Sequence, residues 1–269
     1  MELTNNIKSI AIGSFDGIHQ GHRVLIDQVE AVVIIEQNRC TLTPGYRRTE
    51  YIDKPCFFYH FEKVKSLSAQ AFIDQIQQDF PKLETIVVGY DFVFGYRKEG
   101  NTALLQQLFD GQVIIVAEVK YGDISVHSRT IKNHIKNGEL TAANSLLDRY
   151  YQISGEVIRG QGLGSKALVP TLNLRVYNYL LPKEGVYVTR TLIDHQWFPS
   201  VSFLGHRVTT DGSYAVETHI LDREIYTTNE ELAIEFIAFI RENQKFDGLD
   251  ALKQAIGNDI WIAKNIHNG

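Results

Sequence analysis

The apolar positions of the first half alternate between two periods. Near-continuous apolar runs at 7–14 (Ile-Lys-Ser-Ile-Ala-Ile-Gly-Ser), 32–36, 55–61, 85–92 and 112–119 predict buried strands. Helical spacing lies between them. One helix starts near Gly21, with Val24, Leu25, Val29 and Val32 near one face, and another spans Ala69 to Phe80 with Ala69, Phe72, Ile73, Ile76 and Phe80 aligned. Asn101 can cap a helix that runs to Phe109, Ser128 can cap one that ends at Asn137-Gly138, and Leu140 to Leu147 adds a last one. Such alternation predicts a parallel sheet with helices on both faces, a Rossmann-type α/β domain whose ligands bind beyond the carboxyl ends of the strands.

From Tyr151 onward the apolar runs shorten and are separated by Gly, Pro, Asn and Asp: 153–158, 186–193, 201–204, 214–221 and 232–240. This pattern predicts a small antiparallel β-barrel or sandwich, and the spacing of Leu249, Leu252, Ile256 and Ile260 predicts a C-terminal helix packed across it. The expected domains are 1–150 and 151–269, a division that suits a chain of 269 residues. Residues 148–151 are too few to form a flexible linker.

Composition narrows the class. At 44% hydrophobic and 22% charged residues, with six prolines, the chain is an ordinary globular one, which excludes collagen-like, disordered and coiled-coil readings. Its formal charge of −5 divides evenly: 16 basic against 18 acidic residues before Tyr151 (−2), and 11 against 14 from there on (−3). Neither half has the clustered basic face of a nucleic-acid binder. The longest apolar stretch, Ala31 to Ile35, is far short of the ~18 residues that span a bilayer. The first six residues lack the basic start of a targeting peptide, so the expectation is an untargeted cytoplasmic protein with no membrane partner. Cys40 and Cys56, the only cysteines, provide neither a disulfide framework nor a zinc site.

The densest chemical signal follows the first strand: Gly13-Ser14-Phe15-Asp16-Gly17-Ile18-His19-Gln20-Gly21-His22. Gly13, Gly17 and Gly21 let backbone approach a phosphate, a helix start follows, and His19 and His22 can donate to an oxyanion. The string is neither a Walker loop nor a GxGxxG fingerprint. On spacing alone, ordinary loop histidines or an HxxH metal pair remain open. In the second half Pro170-Thr171-Leu172-Asn173 sets the Thr171 hydroxyl and the Asn173 carbonyl on one side of an extended segment, where both can meet a hard cation such as Mg2+. Glu217 lies mid-strand in Val216-Glu217-Thr218-His219, either facing solvent or pointing into a cleft.

The string GSFDGIHQGH resembles the GxFDGxHxGH loop of the nucleotidyltransferase superfamily, and specifically that of the bacterial bifunctional riboflavin kinase/FAD synthetases. The segment 87–100 (VVGYDFVFGYRKEG) is similar to the family's VVGxDFxFGxxxxG. Residues 126–132 fall where the family has Ser-Ser-Thr-x-Ile-Arg; Ser128 and Ile131 match, and Lys132 keeps a positive charge. The PTLN string, 181–188, 216–221, 240–246 and the tail 249–263 resemble the riboflavin kinase barrel in the same order.

The resemblance implies two activities: ATP-dependent phosphorylation of riboflavin to FMN, and adenylylation of FMN to FAD with release of pyrophosphate. It implies nucleotide binding by Gly13, Phe15, Asp16, Gly17, Gly21, Ser128, Lys132, Gly160 and Gly164, and charge stabilisation by His19 and His22. It further implies flavin contacts at Asp91, Phe92 and Arg241, Mg2+ at Thr171 and Asn173, and general-base catalysis by Glu217. Riboflavin, FMN and ATP are the implied partners, and a homo-oligomer stays open. Two departures stand out. The family's Phe-x-Pro-His-Pro after the second strand is replaced by Asn38 to Arg48, where Arg47 and Arg48 are the candidate phosphate cations. The kinase loop reads Gly164-Ser165-Lys166-Ala167-Leu168-Val169 before Pro170, without the family's arginine. The alternatives are a single-activity descendant and a non-catalytic flavin- or nucleotide-binding regulatory module.

Overall fold

Strand β1 (Ser9–Gly13) lies at the centre of a five-stranded parallel sheet, and its alternating side chains divide two cores. The computed structural model describes residues 6–37, 41–158, 169–207, 212–223 and 230–268. Gly160 and Gly164 lie outside them. After β1 come α1 (Gln20–Ile26), β2 (Ala31–Glu36), a 3-10 turn (Gly45–Tyr51), β3 (Cys56–His60), the short α2 (Phe61–Val64), α3 (Ala69–Asp79) and β4 (Thr85–Gly89). A hairpin of β5 (Val93–Phe94) and β6 (Gly100–Asn101), then α4 (Thr102–Leu108), β7 (Gln112–Val116) and a second hairpin of β8 (Lys120–Tyr121) and β9 (Ile124–Ser125) lead to α5 (Ser128–Asn137) and α6 (Leu140–Leu147).

The strand order is β3-β2-β1-β4-β7. The chain winds outward from β1 to β3 and then returns to place β4 on the other side of β1, so the carboxyl ends of β1 and β4 flank a topological switch point. Ile10, Ile12, Val33, Ile86 and Val88 pack on one face with Phe72, Ile73 and Ile76 of α3 and with Leu105 of α4. Ala11, Val32, Ile34 and Val87 pack on the other with Leu25 and Ile26 of α1 and with Phe15 and Ile18 of the loop between. Several edges differ from the pattern. Strand β4 stops at Gly89, not Phe92, because the Phe92 N–H returns to the Gly89 carbonyl at 3.0 Å and closes a turn. Helix α1 ends at Ile26 and leaves Val24 exposed. Among the described residues the link from β2 to β3 has a 3-10 turn and no α-helix.

The second half closes as a six-stranded antiparallel barrel in the order β10-β11-β14-β13-β12-β15. Its strands are β10 (Tyr151–Ile158), β11 (Leu172–Val176), β12 (Gly185–Ile193), β13 (Gln196–His206), β14 (Tyr214–Ile220) and β15 (Glu231–Glu242). Of the two expected forms it is the barrel, with β11 as a strand that the apolar pattern alone did not mark. Val186 and Val188 face outward and pack with Ala263 and Ile260 of the C-terminal helix α7 (Leu249–Asn268). Tyr187, Thr189 and Thr191 alternate with them and are completely buried. The hydroxyls of Thr189, Ser200, Thr191, Thr218 and Ser202 form a closed five-membered hydrogen-bonded ring with edges of 2.8 to 3.0 Å.

The chain divides into two compact units, 1–130 and 131–269, which part within α5, whereas the sequence pattern changes at Tyr151. The reason is the packing of α6. Leu140, Ala143, Leu146 and Leu147 are buried, and the Asn144 amide donates to the Phe236 carbonyl (3.0 Å) and accepts from the Tyr151 N–H (2.8 Å), which ties α6 to β10 and β15.

Candidate functional site

In the first unit the functional residues collect at the switch point. The loop from β1 to α1 is buried, although loops are ordinarily exposed. Phe15 (φ 47°), Gly17 (φ 95°) and Ile18 (φ 42°) all have left-handed backbone, and burial of the Phe15 and Ile18 side chains in the α1-side core holds that conformation in place. Gly13 and Gly21 are close-packed rather than merely flexible. A Cβ on Gly13 would stand 3.3 Å from the Phe15 ring, and one on Gly21 would stand 3.2 Å from the His19 ring and 3.3 Å from the Val126 carbonyl.

His19 caps α1, and its Nδ1 accepts the His22 N–H at 3.3 Å. An accepting Nδ1 carries no proton, so in neutral His19 the ring proton resides on Nε2. The two imidazoles stack with centroids 3.5 Å apart and 18° between planes, and Phe15 packs edge-on against His22 at 5.2 Å. The site thus presents two nearly parallel imidazoles, that of His19 oriented by the His22 N–H and that of His22 held by ring contacts with His19 and Phe15.

Asp16 faces the other way. Its Oδ1 accepts the N–H groups of Leu42 (2.7 Å) and Thr43 (3.2 Å), and its carbonyl accepts the Ser128 hydroxyl at 2.7 Å. Ser128, expected to cap its helix, instead spends its hydroxyl on joining that helix to the β1 loop. Lys132 follows one turn later on α5, half-buried and on the same helix face as Ser128. The candidate phosphate cations of the divergent segment are otherwise engaged. Arg48 is buried and paired with Glu36, its Nη1 also donating to the Gly45 carbonyl at 3.1 Å, and Arg47 pairs with Glu50 at 2.7 Å.

After β4, Asp91 is exposed, while Phe92 is half-buried and stacked on Phe94 at 5.5 Å. Beside them stands a cluster that the sequence did not reveal. The Tyr90 hydroxyl lies 2.9 Å from His127 Nε2 and 3.3 Å from Glu118 Oε1, and Glu118 also accepts the Ser125 hydroxyl at 2.5 Å. The Ser125 hydrogen bond, helped by Lys120, lowers the Glu118 pKa, and desolvation together with Glu118 and Asp91 raises that of Tyr90. The one available signal was His127, which stands where the family has a serine. Burial pushes the Cys56 thiol up to about 11, so it stays protonated near neutral pH and provides no nucleophile.

In the second unit Asn173 of β11 and Glu217 of β14 are direct cross-strand partners, so their side chains leave the sheet on the same face. His219, two residues after Glu217, shares that face, and its Nδ1 lies 2.8 Å from the Pro170 carbonyl, fixing the approach to Thr171. Between Asn173 and Glu217 lies Arg207, which the sequence reading missed. Its Nε donates to Glu217 Oε1 at 2.8 Å, and its Nη2 donates both to the same oxygen and to Asn173 Oδ1, the latter at 2.8 Å. Thr171 and Asn173 offer neutral oxygen donors, a set suited to a hard cation that takes its other ligands from phosphate and water. Among the described residues no group of three or more His, Cys, Asp or Glu side chains is arranged to hold a metal.

Arg241 is not part of this constellation. Its guanidinium is bidentate on the buried Asp259 of α7 (Nε–Oδ1 2.9 Å, Nη2–Oδ2 2.7 Å), and it stacks over Phe246 at 5.2 Å. Desolvation raises the Asp259 pKa, and Arg241 opposes the shift.

Comparison with known proteins gives matches over both halves. A family model of riboflavin kinase matches residues 147–267, and one of FAD synthetase matches 31–130. The chain is 30% identical to a bifunctional riboflavin kinase/FMN adenylyltransferase of Pseudomonas fluorescens, over 94% of this chain and 91% of that protein. It is 31% identical to the like-named protein of Listeria monocytogenes, over 96% and 92%. A crystal structure from Streptococcus pneumoniae, described as a macrolide-efflux protein, superposes with a TM-score of 0.84 at 25% identity, covering 97% of this chain and 95% of that one.

Proposed function

Because the chain belongs to the family of bifunctional riboflavin kinase/FMN adenylyltransferases, we propose that it phosphorylates riboflavin within 151–269 and adenylylates the resulting FMN within 1–150. The observation that carries this division is the presence of two separate polar constellations. The stacked His19 and His22 stand at the switch point of a parallel sheet, and Asn173 and Glu217 oppose each other across two barrel strands.

In the first transfer the Glu217 carboxylate takes the proton of the riboflavin 5′-hydroxyl as that oxygen attacks the γ-phosphorus of ATP, and ADP leaves. Thr171 and Asn173 are the residues that would hold Mg2+, whose charge offsets that of the phosphates. In the second transfer a phosphate oxygen of FMN attacks the α-phosphorus of a second ATP, and pyrophosphate leaves. His19 and His22 donate to the phosphate oxygens as charge builds there. Because a backbone N–H orients the His19 ring and stacking aligns His22 with it, they need little reorganisation when the charge appears. Gly13, Phe15, Gly17 and Gly21 shape the phosphate-facing loop, and Ser128 joins it from the start of α5. Asp16 serves by holding the loop against 42–43. Asp91 and Phe92 contribute to the flavin side. Arg241 acts at a remove, tying the end of β15 to α7.

The efflux named for the Streptococcus pneumoniae structure is a property given to that protein. Likeness of fold carries no activity by itself, so no efflux is proposed here. Among the described residues no helix is long and apolar enough to cross a membrane. A cytoplasmic setting, where ATP is at hand, accords with the reading.

The test is a chromatographic time course with riboflavin, ATP and Mg2+. FMN followed by FAD is expected. His19→Ala should stop the course at FMN. Glu217→Gln should slow FMN formation by about 100-fold, the scale of a general base, while FMN supplied directly is still converted to FAD. Consumption of neither riboflavin nor FMN by the unmodified protein would overturn the proposal, and FMN alone would reduce it to the kinase half.

A further inference from the structure

The kinase site contains a guanidinium that neither the motifs nor the proposed chemistry uses. Arg207 follows directly on β13, and a turn of backbone hydrogen bonds fixes it there: its N–H donates to the Ser213 carbonyl at 2.9 Å, and its carbonyl accepts the Gly212 N–H at 3.1 Å. The side chain is largely covered, with 17% of its surface exposed. Its three nitrogens are distributed. Nη1 donates to the Ser213 hydroxyl at 2.7 Å, Nε goes to Glu217 Oε1, and Nη2 is shared by Glu217 Oε1 and Asn173 Oδ1.

Two geometric consequences follow. Both hydrogen bonds to Glu217 end on Oε1, so Arg207 holds the carboxylate by one oxygen and makes no bond to Oε2. The contact with Asn173 settles the orientation of that amide, since the end facing a guanidinium must be the oxygen. The amide Nδ2 points instead toward the Thr171 carbonyl at 3.5 Å. A carboxylate on a flexible arm samples several rotamers, and only a fraction of them direct a lone pair at a substrate hydroxyl; a planar fork of donors removes that freedom.

We infer that Arg207 is a positioning residue of the riboflavin kinase site, fixing Glu217 through Oε1 and orienting the Asn173 amide so that the base and the cation-binding oxygen are set before substrate arrives. This rests on the assignment of Glu217 as the base. The fork is the essential feature, since a lysine in the same place would keep the charge but could not span both side chains with fixed geometry.

The test uses the full-length protein with steady-state kinetics of FMN formation, and conversion of supplied FMN to FAD as a readout from the other active site. Arg207→Ala and Arg207→Lys should each lower kcat by about 100-fold, the scale of a well-placed general base. KM for riboflavin and for ATP should stay within roughly threefold, because the lost interaction belongs to the chemical step. FAD formation should be unchanged. In a Glu217→Gln background, Arg207→Ala should cost far less than it does alone, since the part that acts through Glu217 is already lost and only the contact with Asn173 remains. Unaltered kcat in Arg207→Ala would overturn the inference, as would full recovery in Arg207→Lys or a multiplied loss in the double variant. If Arg207→Ala does not fold, Arg207→Lys carries the test by itself. A wild-type rate in Glu217→Gln would instead remove the base assignment, and the two failures are thereby distinct.

Discussion

His19 and His22 are locked to each other twice, by stacked rings 3.5 Å apart and by a backbone-to-ring hydrogen bond from the His22 N–H to His19 Nδ1. The second contact settles which nitrogen of His19 can donate outward, so the residue is useful to an oxyanion only through Nε2. His19→Asn can keep the cap but places no donor where Nε2 stood. It should fold normally and lose FAD formation by about 100- to 1000-fold, as when an oxyanion donor is removed. FMN formation should be unaffected, and kcat for each step, measured with separately supplied riboflavin and FMN, checks this.

The Asp16 carboxylate is 5% exposed and accepts two backbone N–H groups of the segment that replaces the family's Pro-His-Pro. Asp16→Ala would strand both donors in the interior, at a cost of roughly 2 kcal/mol or more. Asp16→Asn can still accept through its amide oxygen and should lose distinctly less. Urea unfolding of the two variants would give the ordering, with Asp16→Ala expected to have the lower midpoint.

The hydroxyl ring inside the barrel gives every member one bond to each of two neighbours, and all five residues are fully buried. Replacing one member with an apolar isostere opens the ring but leaves each neighbour one partner. Thr191→Val should therefore cost only about 1 kcal/mol. Thr191→Val combined with Ser202→Ala leaves Thr218 without a ring partner and should cost more than the sum of the singles. A double-mutant cycle in thermal unfolding measures the difference.

Asp259 is 2% exposed, and its carboxyl pKa is raised by desolvation above the ordinary value of 3.8 despite Arg241. Between the unfolded and the folded pKa the native state binds more protons than the unfolded one. This group's contribution to stability is accordingly greatest below pH 3.8 and falls as pH rises through the folded pKa. Arg241→Ala leaves the buried carboxylate uncompensated, at a cost of roughly 3 kcal/mol at neutral pH. The loss should shrink toward acid, where Asp259 is protonated in both states. Denaturant midpoints of wild type and variant from pH 3 to pH 7 should converge at the acid end; a gap that does not depend on pH would show that the carboxylate charge is not the cause.

Much of this was legible because it is local. The strands β1, β2 and β4, in the middle of the sheet and covered from both sides, are apolar on both faces. The cap at Asn101 is set by a side chain reaching the Leu104 N–H three residues on, and the loop after β1 is marked by Gly13, Gly17 and Gly21. Local sequence failed where a partner lies far along the chain. Ser128 was read as a cap for its own helix, yet its hydroxyl goes to Asp16, 112 residues away. Arg48, on sequence a candidate phosphate cation, is 1% exposed and paired with Glu36.

The sequence by itself determined the α/β half, the β-rich half, the histidine loop and the PTLN string, because periodicity and short motifs are encoded within a few turns of chain. Only the tertiary structure decided that the histidine loop and Tyr90 meet at one end of a sheet, that α6 packs with the barrel, and that Arg207 stands between Asn173 and Glu217. Strand order and cross-strand register bring together residues tens of positions apart, and no local pattern records which strand becomes the neighbour of which.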